Sequence, residues 1–161
     1  MKIFILLAFV VFVVVALTFL KGFLVSSGGV RYKRRDFLSA AELRFFQALS
    51  KVVAGRAVVF SKVRLADLAE PAALKNSSAW WKAFGSIKSK HVDFCLSDLN
   101  GRILCAIELD DSSHSRPDRV KRDDLVDGVF KDIGLPVYHV PGRASYAPVD
   151  FKMLDKVLAL S

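Results

Sequence analysis

The sequence predicts an α/β domain, with helices flanking a mixed sheet, preceded by a single transmembrane helix at the N-terminus. Residues 3–20 contain no charged side chain, which is typical of a membrane span. Apolar residues alternate with other residues on both sides of Asn100-Gly101, which indicates a β-hairpin within residues 91–114. Apolar residues recur at helical spacing before and after that hairpin, so helices are expected to cover the sheet.

The apolar run at the N-terminus is long enough to cross a bilayer. As a helix, its roughly 18 residues would extend about 27 Å, close to the hydrocarbon thickness of about 30 Å. A cleaved secretory signal is the alternative, although its apolar region usually has only about 7–15 residues. We expect a retained anchor over residues 1–25.

Positive charge follows the span directly. Of the net charge of +8, residues 1–36 carry +5, and residues 37–161 carry only +3. Because lysine and arginine mark the cytoplasmic side of a span, we expect residues 37–161 to form a cytoplasmic domain. The overall basicity is therefore a weak indication of nucleic-acid binding. Residues 26–36 form a basic juxtamembrane linker, which contains Arg31, Lys33, Arg34 and Arg35.

The domain reads as helices and strands in succession. Ser39 and Glu42 have the spacing of a capping box, which predicts the start of a helix. Pro117 suits the first turn of a later helix, and Gly134 suits its C-terminal end. Residues 66–81 show no clear pattern. The predicted order is helix 40–54, strand 57–65, the hairpin, a helix from residue 117, strand 136–140 and a closing helix over residues 148–160.

The hairpin brings acidic residues together. If Asn100-Gly101 is a two-residue type I′ turn, counting outward places Asp93 opposite Glu108 and His91 opposite Asp110. Opposed residues have Cβ atoms roughly 4.5–5.5 Å apart, so two carboxylates repel there unless something compensates them. Mg²⁺ or Mn²⁺ would remove the repulsion. The alternative is a pair of exposed carboxylates on a solvated strand face.

The same register separates the two cysteines. Cys95 falls on the polar face of the hairpin, whereas Cys105 falls on the core face. We therefore expect no disulfide between them. Two free thiols also suit a reducing cytoplasm.

Four segments of the domain carry a family resemblance: KHVDFCL, AIELDDSSH, RPDRVKRD and GLPVYHVP. They resemble the bacterial "domain of unknown function 2726" family over roughly residues 37–146. An aspartate on one strand and an acidic residue on the next also resemble the PD-(D/E)XK nucleases, in the branch of the very-short-patch repair endonucleases. The resemblance implies a restriction-endonuclease-like mixed sheet and, by analogy, nuclease activity.

The resemblance also implies roles for particular residues. Asp93 and Glu108 would bind the metal, and Glu42 matches an acidic residue in the first helix of many such nucleases. A capping role is the alternative for Glu42. Asp110 stands where those nucleases have a lysine that positions water and stabilises charge. Either a basic residue from elsewhere replaces it, or catalysis is altered, or catalysis is lost; the candidates for the replacement are Lys90, Lys88, Lys121 and Arg122.

His114 adds a candidate for acid–base chemistry. It follows the second strand four residues after Asp110. An imidazole with a pKa near 6.5 could orient or deprotonate water, although a surface role is the alternative. His139, within an apolar strand, is interpreted as structural. The predicted catalytic set is Asp93, Glu108, Asp110, His114 and Lys90.

Basic residues flank the hairpin on both sides. In a nuclease, the phosphate backbone of the substrate would lie there. Solvated surface charges are the alternative reading. The predicted nucleic-acid contacts are Lys88, Arg116, Arg119, Lys121 and Arg122.

These features predict a nuclease-like domain held at the bacterial inner membrane by one span. It would use Mg²⁺ or Mn²⁺ to hydrolyse phosphodiesters, with DNA as the expected partner. The alternative is an inactive module of the same fold that binds nucleic acid or a protein.

Overall fold

The computed structural model describes residues 2–26, 31–110 and 117–159. The chain divides into two compact units, Met1–Asp36 and Phe37–Ser161. The first unit contains helix α1, Lys2–Ser26. Within the described residues, α1 is the one helix apolar and long enough to cross a membrane, with a mean hydropathy of 2.8 over Phe4–Lys21. A signal sequence would meet the same criterion, so the anchor and its orientation stay predictions.

The second unit contains four strands and several helices in the predicted order. The capping box of Ser39 and Glu42 opens α2, and Pro117 begins α5. Residues 66–81, which showed no pattern, contribute to two short helices. The elements are α2 (Ala40–Val53), β1 (Val58–Arg64), α3 (Leu65–Leu68), α4 (Ser78–Ile87), β2 (His91–Ser97), β3 (Ile103–Asp110), α5 (Pro117–Asp132), β4 (Val137–Pro141), a 3₁₀ helix (Pro148–Leu154) and α6 (Asp155–Leu158).

The strands form one mixed sheet in the order β1-β2-β3-β4. Strands β1, β2 and β3 form an antiparallel meander, and β4 lies parallel to β3. A parallel pair needs a long crossover connection, and α5 lies in that connection. The mixed α/β architecture predicted from the sequence is confirmed.

The turn of the hairpin differs from the predicted type I′ turn. Asp98 N–H donates to the carbonyl of Arg102 at 2.9 Å, which leaves three residues in the loop instead of two. Gly101 has φ +86°, whereas Asn100 does not have positive φ, as a type I′ turn would require. The side chain of Asp98 fixes this turn, because its Oδ1 accepts from the N–H groups of Asn100 (2.9 Å) and Arg102 (2.8 Å).

Farther from the turn, a β-bulge restores the register that the sequence predicted. Ser97 pairs with Ile103, but Leu96 pairs with Cys105, so Leu104 is an extra residue in β3. From there Phe94 pairs with Ile107. This pair agrees with the register that the simpler turn would have given.

Hydrophobic cores lie against both faces of the sheet, as expected for a sheet flanked by helices. Cys95 lies in the second core and Cys105 in the first; both thiols are free, and burial raises the pKa of each to about 12. The first core, between the sheet and α2, the 3₁₀ helix and α6, contains Phe45, Leu49, Val53, Phe94, Leu96, Cys105, Ile107, Val140, Phe151, Leu154, Val157 and Leu158. The second core, against α3, α4 and α5, contains Leu65, Ile87, Val92, Cys95, Ala106, Val126 and Phe130.

Candidate active site

A cleft of about 480 Å³ lies beside the ends of β2 and β3. Carboxylates and guanidinium groups line it together, and α2, β2, β3 and the loop after β4 contribute them. The lining residues are Ser39, Ala41, Glu42, Arg44, Asp93, Leu109, Asp110, Gly142, Arg143 and Ala144.

Regular strand geometry is interrupted beside this cleft, at Lys62 of β1 and Asp93 of β2. Lys62 has φ +56°, a left-handed conformation that costs a non-glycine residue roughly 1–2 kcal/mol. On β2, Val92 belongs to the second core although Phe94 belongs to the first. The alternation of side chains therefore breaks at Asp93, between them. Strained backbone of this kind concentrates at functional sites.

The side chain of Lys62 lies between two carboxylates of the cleft. Its ammonium group donates to Glu42 Oε1 and to Asp93 Oδ1, the latter at 3.2 Å. Glu42 Oε2 accepts from the N–H of Ser39 at 2.7 Å. Glu42 thus closes the capping box and binds Lys62 at the same time. Lys62 therefore places a positive charge beside Asp93. Asp110, which stands at the lysine position of the motif, has no positive charge to place there.

The ion pairs shift the pKa values of both Lys62 and Glu42 toward their charged forms. Burial alone would raise the pKa of Glu42, but hydrogen bonds from Lys62 and Ser39 outweigh it and lower that pKa. Burial likewise opposes the charge of Lys62, yet the hydrogen bond to Glu42 and the charge of Asp93 raise its pKa. Lys62 is therefore an ammonium ion at neutral pH.

Asp93 also binds the neighbouring strand. Its Oδ2 accepts from the backbone N–H of Leu109 at 3.1 Å, which fixes the carboxylate against β3. Glu108, the residue before Leu109, is 7% exposed and does not belong to the cleft lining. Its charge contributes to the raised pKa of the Cys95 thiol, so Glu108 lies near the second core.

A second polar cluster joins the end of β3 to β4 and α5. His139 Nδ1 lies 3.2 Å from Asp110 Oδ1, and Nε2 lies 3.1 Å from Asp127 Oδ1. Burial alone would lower the pKa of His139, but the hydrogen bonds and charges of Asp127 and Asp110 raise it. The imidazole therefore orients Asp110 at the mouth of the cleft.

The pH dependence of stability should reveal this cluster. Because the pKa of folded His139 is raised, its stabilising contribution is present below the unfolded pKa near 6.5 and is lost as pH rises through the folded value. We expect His139→Asn to lower the melting temperature more at pH 6 than at pH 9. The difference should correspond to no more than about 1 kcal/mol, since solvent screens side chains about one-third exposed or more. An equal loss at both pH values would contradict the charged cluster.

The other predicted residues lie elsewhere or outside the described part of the chain. Lys90 directly precedes β2 and Lys88 ends α4; neither lines the cleft. His114 and Arg116 fall outside the described residues. Three further predicted contacts lie within α5, but their side chains are outside the described part: Arg119, Lys121 and Arg122.

Sequence reasoning missed three residues of this region. Lys62 was assigned to an ordinary strand, since no local pattern distinguishes it from its neighbours. His139 was interpreted as structural because apolar residues surround it in the sequence. Arg143 lies in the loop after β4. The one signal in the sequence was the preceding Gly142, because a glycine can mark a place where two backbone segments lie very close together.

Carboxylates of the cleft have the oxygen donors that hard cations prefer. Among residues 2–26, 31–110 and 117–159, however, no three histidine, cysteine, aspartate or glutamate side chains form a group that could hold a metal by themselves. Mg²⁺ usually needs only one or two protein carboxylates, because it keeps several waters and binds substrate phosphates. The oxygen donors of the cleft therefore suit Mg²⁺, which keeps several of its waters, better than a cation that takes all its ligands from the protein.

The fold and the cleft define a mixed α/β domain with a lysine–carboxylate cluster at one end of its hairpin. Residues 34–154 match the family described as protein of unknown function (DUF2726), and the chain belongs to that family. The family predicted from the sequence motifs is thus confirmed. No curated protein and no solved structure gives a significant match to this chain.

Proposed function

We propose that the domain hydrolyses phosphodiester bonds of nucleic acid with the help of Mg²⁺ or Mn²⁺. The observation that carries this proposal is the position of Lys62, an ammonium group held at hydrogen-bond distance from Asp93, which lines an open cleft. Phosphoryl-transfer sites need fixed positive charge where negative charge develops on the phosphate oxygens. Lys62 meets that need although it comes from β1, a different strand from the one in the nuclease motif.

The residues of the cleft have separate roles in this proposal. Lys62 donates to a non-bridging oxygen of the scissile phosphate, and Glu42 holds Lys62 in place. Asp93 is the proposed metal ligand within the cleft, and Glu108, on the neighbouring strand β3 and outside the cleft lining, is the proposed second ligand. Once bound there, a divalent cation would offset phosphate charge and lower the pKa of a water molecule. Asp110, which is hydrogen-bonded to His139, binds a water molecule or a hydroxyl group in the cleft.

The topology supports the finer assignment of fold. A helix, three antiparallel strands with two short helices after the first, a crossover helix and a strand parallel to the third make up the mixed sheet flanked by helices that we expect of the proposed restriction-endonuclease-like, PD-(D/E)XK fold. We propose that this domain lies on the cytoplasmic side of the bacterial inner membrane, which the basic linker over residues 26–36 supports.

An inactive module that binds nucleic acid or a protein is the second candidate. It is favoured by the lysine itself, because Lys62 already compensates Glu42 and Asp93 without a metal. In this alternative the cluster would serve stability, and the cleft would bind a ligand without cleaving it.

Cleavage assays on the full chain in detergent micelles distinguish the two functions. Labelled single-stranded, double-stranded and mismatched DNA and single-stranded RNA are incubated with Mg²⁺, Mn²⁺ or a chelator. We expect cleavage of at least one substrate in either metal and none in the chelator. Salt-sensitive binding without cleavage of any substrate would overturn the hydrolytic proposal and support the inactive module.

A further inference from the structure

We propose that Arg143, together with Arg44, forms a phosphate-binding subsite on the wall of the cleft. The ligand chemistry is a phosphodiester of a nucleic-acid strand, next to the phosphate that Lys62 contacts. The identification of this ligand as a substrate rests on the proposed function. Binding itself follows from the geometry of the loop after β4.

The loop lies directly against the end of the strand that carries Asp110. Gly142 N–H donates to the carbonyl oxygen of Asp110 at 2.7 Å. A Cβ atom at residue 142 would lie 3.1 Å from that same oxygen, tighter than ordinary contacts. Glycine therefore permits the close approach, and the approach places the next residue, Arg143, on the wall of the cleft.

Bonds within the loop brace Arg143. Its backbone N–H donates to Tyr146 Oη at 2.9 Å, and its Nη1 donates to Asp150 Oδ1 at 2.7 Å. Asp150 is itself fixed, because its Oδ2 accepts from the N–H of Ala147 at 2.8 Å. The guanidinium is thus oriented before any ligand binds, which reduces the entropy lost on binding.

Arg143 keeps donors for a ligand. A guanidinium has five N–H groups in a planar fork that matches two oxygens of a phosphate, and Asp150 engages Nη1. The side chain is 53% exposed. Arg44, on the exposed face of α2, lines the same cleft. Arg143 and Arg44 thus line the same cleft as Asp93 and Asp110. A nucleic-acid strand could bind one phosphate at the two arginines and place the next phosphate at Lys62.

Binding of a fluorescent oligothymidylate in chelator tests the subsite without cleavage. The full chain in detergent micelles is titrated, and anisotropy is measured at several salt concentrations. Because a hydrogen bond to a charged group contributes about 1.5–3 kcal/mol, Arg143→Ala should weaken binding by about ten- to a hundredfold and reduce the salt slope by about one. Arg143→Lys should recover part of the affinity, since it keeps the charge and loses the fork.

Arg56→Ala is the matched control. Arg56 is also an exposed arginine, its Nη2 donates to the carbonyl of Val52 at 2.8 Å, and it lies outside the cleft lining. Its loss should leave affinity within about twofold. Unchanged affinity in a folded Arg143→Ala variant, or equal losses in both variants, would overturn the subsite.

The result of the binding titration can be distinguished from the result of the cleavage assay that tests the proposed function. If no substrate is cleaved but Arg143→Ala weakens oligothymidylate binding, the subsite stands and hydrolysis fails. If the chain cleaves DNA and Arg143→Ala changes neither the oligothymidylate affinity nor KM, hydrolysis stands and the subsite fails. A raised KM with kcat little changed would support the subsite, since uniform binding has then been lost.

Discussion

Replacing Lys62 by methionine should reduce cleavage by about a hundred- to a thousandfold, the range found when a charge-stabilising donor is removed from an active site. The same change should destabilise the domain by about 2 kcal/mol. This value lies between those for exposed and buried pairs, because the side chains of Lys62, Glu42 and Asp93 are 29%, 14% and 16% exposed. Cleavage rates and urea denaturation of the full chain measure the two effects.

A double variant separates stability from catalysis. In Lys62→Met with Glu42→Gln, one of the two carboxylates that lost their lysine is neutral, so part of the lost stability should return. Cleavage should stay as low as in the single variant. Lys51→Met, on the exposed face of α2, is the control and should change neither quantity. Recovery of cleavage in the double variant would show that Lys62 has only a structural role.

The largest effect on stability is expected from Phe45→Ala. Phe45 is fully buried in the first core, with ring centroids 5.0 Å from Tyr146, 5.2 Å from Phe94 and 5.5 Å from Phe151. Loss of such a ring costs about 3–5 kcal/mol through lost burial and the cavity left behind. Urea denaturation of the full chain in micelles, followed by tryptophan fluorescence, measures this loss.

The control for this change is Phe37→Ala. Phe37 is 69% exposed, so its removal should alter the free energy of unfolding by less than about 0.5 kcal/mol. Phe45 lies one helical turn after Glu42 in α2. Because Phe45→Ala weakens the packing of α2 on the sheet, it should also loosen Glu42, the partner of Lys62. Similar losses from both variants would contradict the assignment of the first core.

Local signals sufficed for most of the fold. The capping box at Ser39 and Glu42, the proline at residue 117 and the glycine at residue 134 each depend on neighbours within a few residues, so the sequence displays them directly. The strand that forms β4 was predicted, but its parallel pairing with β3 was seen only in the structure. The fully buried second face of the sheet could not be read from alternation, since Cys95, Ser97 and Glu108 resemble a polar stripe.

The register of Phe94, Cys95 and Leu96 against β3 was predicted correctly from an incorrect turn. The three-residue loop alone would have shifted Asp93 by one position, but the bulge at Leu104 restores the pairing. Asp98 was the available signal, because an aspartate before Asn-Gly can accept from the turn's own N–H groups. The bulge had no such local signal, as it depends on how the strands pack.

Lys62 shows what sequence patterns could not provide. Its left-handed conformation lies within a β-rich segment, where a regular strand is the natural expectation. The conformation persists because Glu42 and Asp93, from two other elements, bind the side chain. Tertiary contacts of this kind have no period in the sequence. His139 is similar, since Asp110 and Asp127 reach it from β3 and α5.

The measurement that tests the central claim most directly compares Asp93→Asn with Asp98→Asn in metal-dependent cleavage by the full chain. Both aspartates accept backbone N–H bonds in the same hairpin, and asparagine keeps an acceptor oxygen at each position. Only Asp93 lines the cleft and binds Lys62. The account predicts that cleavage rises with Mg²⁺ concentration in wild type and Asp98→Asn and is lost in Asp93→Asn. Equal cleavage by all three proteins, or cleavage that persists in chelator, would contradict it.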